Sequence, residues 1–122
     1  MSIRVRYSEC DPMGVVHHAT YPIWFEMGRT ELLRTNGENY SEFENMGIYF
    51  VVTELSVKYK CPATYDDELT LLTELDTSTP VRLNHTYTLL RDETVIATAL
   101  TTLACVDKKG IVQRFPISII QP

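Results

Sequence analysis

The chain carries one long helical pattern, at residues 19–36, and nearly everything after it alternates as strand. Tyr21, Trp24, Phe25, Gly28 and Leu32 follow i, i+3, i+4, i+7 spacing and make one apolar stripe. Thr20 is placed to cap the start, Pro22 is tolerable only in the first turn, and Asn36-Gly37 is a stop signal. Gly28 lies within the stripe, where a glycine costs about 1 kcal/mol relative to alanine. Close approach of the helix to another backbone is the expected compensation.

The segment Ile3–Tyr7 predicts a short strand, and Ser8–Gly14 a turn punctuated by Asp11-Pro12 and Gly14. Further strands are expected at Thr53–Tyr59, Glu68–Asp76, Arg82–Arg91 and Val95–Val106. The last is apolar or small on both faces, as a central strand would be. Asp92-Glu93 predicts a hairpin, and Asp107-Lys108-Lys109-Gly110 a turn into a short final strand. No second layer of helices exists to cover the stripe, so the sheet must cover it. Ala97 and Ala99 are candidates to make room. The class is therefore α+β, one domain over residues 1–122, and an exposed edge strand would favour dimerisation.

A chain of 122 residues has little room for a deep pocket within one copy, so a small-molecule site forms more easily between subunits. The net charge of −5 and the absence of a basic stripe argue against nucleic acid. Cys10, Cys61 and Cys105 are odd in number and widely spaced, which suits a reducing cytoplasm. Cys10 reads as a small, partly buried residue rather than a nucleophile. There is neither a leader pattern nor a run of 18 apolar residues, so neither export nor membrane insertion is expected.

The chemistry concentrates in Asp11-Pro12-Met13-Gly14-Val15-Val16-His17-His18, just before the helix. A carboxylate is ionised at neutral pH without tuning. Backbone N–H groups at a helix start lack intrahelical partners and carry the positive dipole end. An acid, an imidazole and such donors are the parts needed to attack a carbonyl and stabilise its oxyanion. His17 reads as structural, and two adjacent histidines without a third ligand are a weak metal signal. Glu26 and Arg29 are spaced to pair on the helix surface. His85, between Leu83 and Tyr87, reads as a core or interface histidine.

The run Arg6–His18, continuing through Tyr21, Trp24-Phe25-Glu26 and Arg29-Thr30-Glu31, resembles the opening of hotdog-fold acyl-CoA thioesterases. The resemblance is to the 4-hydroxybenzoyl-CoA thioesterase group and the bacterial acyl-CoA thioesterases linked to the Tol-Pal system. Tyr59–Leu69 fits their second-strand region less specifically. The resemblance implies a long helix wrapped by a curved antiparallel sheet. It also implies edge-to-edge dimers that often pair into tetramers, with active sites at the dimer interface. The implied reaction is hydrolysis of an acyl-CoA thioester without metal or redox cofactor, CoA being part of the substrate.

The same resemblance makes Asp11 the catalytic acid, as nucleophile or as general base for water. It assigns the oxyanion donor to the backbone N–H near His18, and matches the His18 ring and Tyr7 to residues of the Tol-Pal-linked relatives. In the hydroxybenzoyl branch the His18 position is a tyrosine. Tyr7 could orient Asp11 or the substrate, or be a strand aromatic packing inward. Lys58, Lys60, Arg82 and Arg91 are candidates along the CoA path, and Tyr49, Phe50 and Tyr65 could shape the acyl pocket. Two alternatives keep the fold: a non-hydrolytic acyl-CoA or acyl-carrier-binding protein, and a hydroxyacyl-thioester dehydratase.

Overall fold

The computed structural model describes residues 1–120 of the 122. Its elements are β1 (Ser2–Arg4), α1 (Thr20–Thr35), α2 (Tyr40–Asn45), β2 (Tyr49–Tyr59), β3 (Glu68–Thr79), β4 (Arg82–Arg91), β5 (Thr94–Val106), β6 (Val112–Gln113) and α3 (Ile117–Ile120). The strands form one antiparallel sheet in the order β1-β3-β4-β5-β2, with β6 pairing the far end of β5. β5 is central, as its two apolar faces predict.

α1 packs against this sheet through the expected stripe. Tyr21, Trp24, Phe25 and Gly28 are buried, and they join Leu69, Leu71, Tyr87, Leu89 and Ile96 in one core. A second cluster forms around Phe43, Leu83, Leu103, Cys105, Phe115 and Ile119. Gly28 does make a close approach, but to side chains of β3 rather than to the backbone that was expected. A Cβ built on Gly28 would stand 2.8 Å from Leu71 Cδ2 and closer still to Thr73 Oγ1.

Several expectations are corrected. The first strand stops at Arg4, and Tyr7–Glu9 is a 3-10 turn, because the Glu9 carboxylate turns back to accept from the Arg6 N–H at 2.7 Å. Thr20 does not cap α1. Ala19 holds the cap position in helical conformation, and the Thr20 hydroxyl donates instead to the Glu9 carbonyl at 3.4 Å. α2 lies outside the expected helix pattern, yet it has a readable start, since Asn39 Oδ1 accepts from the Glu42 N–H at 2.9 Å.

β2 begins four residues before the expected Thr53, and among the described residues its outer edge has no strand beside it. Val52 is 47% exposed, Leu55 44% and Tyr59 49%. An eleven-residue open edge carrying apolar side chains is a surface that proteins ordinarily cover.

Candidate active site

The Asp11–His18 segment is a tight two-armed loop. Asp11 N–H donates to Val15 C=O at 2.9 Å, Cys10 and Val16 bridge, and His17 N–H donates to Glu9 C=O at 2.9 Å. Gly14 N–H donates to Asp11 C=O at 2.9 Å and closes the tip at φ +82°, a left-handed conformation that glycine adopts without strain. Val16 is buried and its N–H donates to Ala63 C=O at 2.8 Å, which fastens the loop to the segment before β3.

Asp11 is half-buried at the tip. Its Oδ1 accepts from the Met13 N–H at 2.9 Å, and among the described residues its other oxygen has no donor. That leaves one fixed oxygen and one free to engage a carbonyl carbon or a water. Asp11 lies two residues along one arm from Glu9, which faces His17 at the loop's base.

At that base, His17 Nδ1 accepts from the Ala19 N–H at 3.0 Å, and its carbonyl accepts from the Thr20 N–H at 2.9 Å. The ring therefore shapes the entry to α1, as the structural reading expects. The His18 ring is exposed and stacks on His17 with centroids 4.3 Å apart. The His18 carbonyl accepts from the Tyr59 hydroxyl at 2.8 Å, while its N–H has no acceptor among the described residues. That N–H lies two residues before the first residue of α1.

Tyr7 is 80% exposed and meets Tyr65 edge-on at 5.7 Å, with no hydrogen bond to Asp11. Its ring does not pack inward as a strand aromatic would. Cys10 is partly buried against the core, and its Sγ contacts only the Arg6 carbonyl, at 3.8 Å. Of the basic candidates, Arg91 is engaged with Asp67 Oδ2 at 2.9 Å and the Pro62 carbonyl at 3.1 Å. The Thr64 N–H on Asp67, with Arg91 beside it, holds that carboxyl below its ordinary range. Lys58 and Lys60 flank Tyr59 in sequence and are exposed. Phe50 belongs to the second core cluster.

Two residues of the site were not singled out from sequence. Tyr59 anchors His18. Glu9 is 8% exposed, and its Oε2 accepts from Trp24 Nε1 at 2.9 Å. Burial alone would push the Glu9 carboxyl up, but the Arg6 N–H, the Trp24 indole and the Arg6 guanidinium together bring it below its ordinary value. A charged, buried acid thus locks the loop's base to α1. The spacing Glu9…Trp24 gives no periodic signal, so only the fold shows it.

The expected Glu26–Arg29 surface pair is absent. Arg29 is 8% exposed and turns inward to donate to the Tyr87 hydroxyl at 3.1 Å, while Glu26 stays exposed. His85 is buried on β4, and desolvation, with the Arg29 charge nearby, lowers its pKa to about 4. Among the described residues no three His, Cys, Asp or Glu side chains converge as metal ligands. No helix there is long and apolar enough to cross a membrane.

Known proteins share this fold. Residues 5–119 match the thioesterase-like superfamily. The acyl-CoA thioesterase YbgC of Haemophilus influenzae is 36% identical over 106 residues, 86% of this chain and 78% of that protein. The acyl-CoA thioester hydrolase YbgC of Escherichia coli O6:H1 is 33% identical over 120 residues, 97% of this chain and 90% of that protein. A probable thioesterase from Bartonella henselae superposes with a TM-score of 0.91 at 30% identity, covering 95% of this chain and 97% of that one. The chain belongs to the thioesterase-like superfamily and has the hotdog fold. Within that superfamily its relatives are of the YbgC type.

Proposed function

We propose that this protein hydrolyses acyl-CoA thioesters to a carboxylic acid and CoA, with Asp11 as the reacting carboxylate and the His18 N–H as oxyanion donor. The chain is a thioester hydrolase by its relatives. The observation that carries the residue assignment is the loop itself. It presents one free oxygen of Asp11 at its tip and one unengaged N–H of His18 at its base.

A thioester carbonyl would lie between these groups, with its carbon toward Asp11 and its oxygen toward His18. Asp11 acts either by direct attack, giving a mixed anhydride that water opens, or by deprotonating water. The leaving thiol, with an ordinary pKa near 8.5, departs as thiolate without an acid. The chemistry asks for no metal or redox cofactor.

The open edge of β2 supports a homodimer in which two such edges pair, with tetramers by further association. Tyr59 at one end of β2 holds His18, so that pairing brings the partner's surface to the site. Tyr7 and Tyr65, exposed beside the loop, serve the substrate path rather than the orientation of Asp11. A cytoplasmic setting suits the free thiols of Cys10, Cys61 and Cys105.

The test is a panel of short, long and aromatic acyl-CoAs with thiol release as readout, using the wild-type chain and Asp11→Asn. Turnover should fall about 10²–10⁴-fold in the variant while acyl-CoA binding persists. Binding without thiol release by wild type would establish the non-hydrolytic reading, and an enoyl thioester product the dehydratase reading.

A further inference from the structure

Arg29 and His85 present an unusual pair of buried groups. Arg29 is 8% exposed, and no carboxylate is within ion-pairing distance of it among the described residues. It donates instead to neutral hydroxyls, that of Tyr87, which is itself bonded to Thr101 Oγ1 at 2.7 Å, and that of Tyr40. A buried guanidinium without a counter-charge is costly, because the anion that would repay its desolvation is missing. His85, 7% exposed, faces the same place, and its Nδ1 is buried with no hydrogen-bond partner. Buried polar atoms are ordinarily satisfied, so an orphan beside an unpaired cation marks a place made for something else.

Both residues line a cavity of about 40 Å³ between α1, β4 and α3, whose apolar walls include Leu32, Leu83 and Ile119. Arg29, Tyr40 and Phe50 also line an open groove of about 380 Å³ that runs along the first half of β2. The guanidinium therefore stands where the small cavity and the larger groove meet. Glu38 borders the cavity and Glu26 and Glu44 the groove, yet none is within ion-pairing distance of Arg29 among the described residues.

We propose that this cavity is a carboxylate-binding site. Arg29 supplies the charge, the His85 Nδ1–H and the Tyr40 hydroxyl donate hydrogen bonds, and the ligand's hydrocarbon stem lies toward the groove. A cavity of this size holds about three waters' worth of volume, which suits a carboxylate and its first carbon. Two sources have that chemistry: a free carboxylic acid of the kind thioester hydrolysis releases, or the distal carboxylate of an acyl group still on CoA. Attributing the ligand to either source rests on the proposed hydrolysis, but the binding chemistry does not.

The full-length chain is titrated calorimetrically with acetate, butyrate and hexanoate, against the alcohols of matching length and against chloride at constant ionic strength. Carboxylates should bind saturably and at least about tenfold more tightly than the alcohols, and Arg29→Met should remove that preference. His85 followed by NMR in the wild-type chain needs no variant. Its titration should move up from about 4 as butyrate saturates, because a nearby anion favours imidazolium.

Equal affinity for acid and alcohol, or an unmoved His85 titration at saturation, would overturn the proposal even if thioester hydrolysis is intact. Comparing ω-carboxyacyl-CoA with plain acyl-CoA of equal length identifies the source. A selective loss of kcat/KM toward the former in Arg29→Met assigns the site to substrate. Equal rates, with free-acid binding lost, assign it to free acids.

Discussion

Trp24 Nε1 donates to Glu9 Oε2 at 2.9 Å across the junction between the Asp11–His18 loop and α1. The Glu9 carbonyl meanwhile accepts from the His17 N–H at 2.9 Å. One residue thus holds the loop's base through both side chain and backbone. Glu9→Gln preserves shape but offers a single acceptor oxygen to two donors, Arg6 N–H and Trp24 Nε1. Stability should fall by about 1–3 kcal/mol, and kcat should drop about tenfold through misplacement of the loop, with KM little changed. Denaturant titration and steady-state kinetics on the same preparation check this. Lost stability with an unchanged kcat would mean that Glu9 is structural only.

The His18 N–H has no acceptor among the described residues, so replacing the amide at residue 18 by an ester deletes that donor and otherwise only weakens the His17 carbonyl as acceptor for the Thr20 N–H. An oxyanion donor of this kind is worth about 10²–10³ in rate. His18→Ala, which keeps the N–H and discards the ring, should cost less than about tenfold on the same reasoning. Semisynthetic protein and thiol-release kinetics measure both. If the ring deletion costs more than the ester, the roles of ring and backbone are reversed.

The alternation of β3 and β4, the two apolar faces of β5 and the stripe of α1 were legible because each is a repeated burial decision along a regular backbone. The loop tip was legible from Pro12 and Gly14, whose backbone restrictions act locally. Glu9 and Arg29 were not. Each is a charged residue whose partner, Trp24 or Tyr87, is fixed by packing between elements distant in sequence, so its spacing carries no signal. Arg29 shows the failure clearly: i, i+3 spacing with Glu26 is correct for a surface pair, yet the side chain follows the face that the sheet covers. α2 was overlooked because six residues give too short a pattern.

Leu55 is 44% exposed on the open edge of β2, opposite Thr101 of β5. Edge pairing about a two-fold axis would bring this position near its own copy, so Leu55→Glu places like charges together in a surface meant to dehydrate. Light scattering should show a dimer or tetramer turning monomeric, and turnover should fall in step if the site needs its partner. A variant that stays oligomeric would move the interface elsewhere. A monomer with full activity would mean that the site is complete in one chain.

Gly28 sits where α1 touches β3. Alanine there gains about 1 kcal/mol of helix propensity but forces a Cβ against Leu71 and Thr73, and such overpacking costs about 1–3 kcal/mol. Gly28→Ala should therefore lower the melting temperature. Thr73→Ala removes the hydroxyl oxygen in the way, which is itself buried without a hydrogen-bond partner. The double variant should recover much of the loss, giving a favourable coupling in the thermodynamic cycle. Additive losses would place the strain elsewhere.

His85 makes stability depend on pH. Its folded pKa of about 4 lies below the ordinary value of 6.5, held there by burial first and by the Arg29 charge second. Between those values the unfolded chain binds a proton that the folded chain refuses. Stability is therefore complete above the unfolded pKa, falls as pH drops through the window, and stops falling from this cause below the folded pKa. The full contribution is on the order of 3 kcal/mol. His85→Gln should remove most of the slope across that window while costing some stability at neutral pH through the changed packing. Urea titrations at closely spaced pH values resolve it. A wild-type slope that survives in His85→Gln would assign the titration to another group.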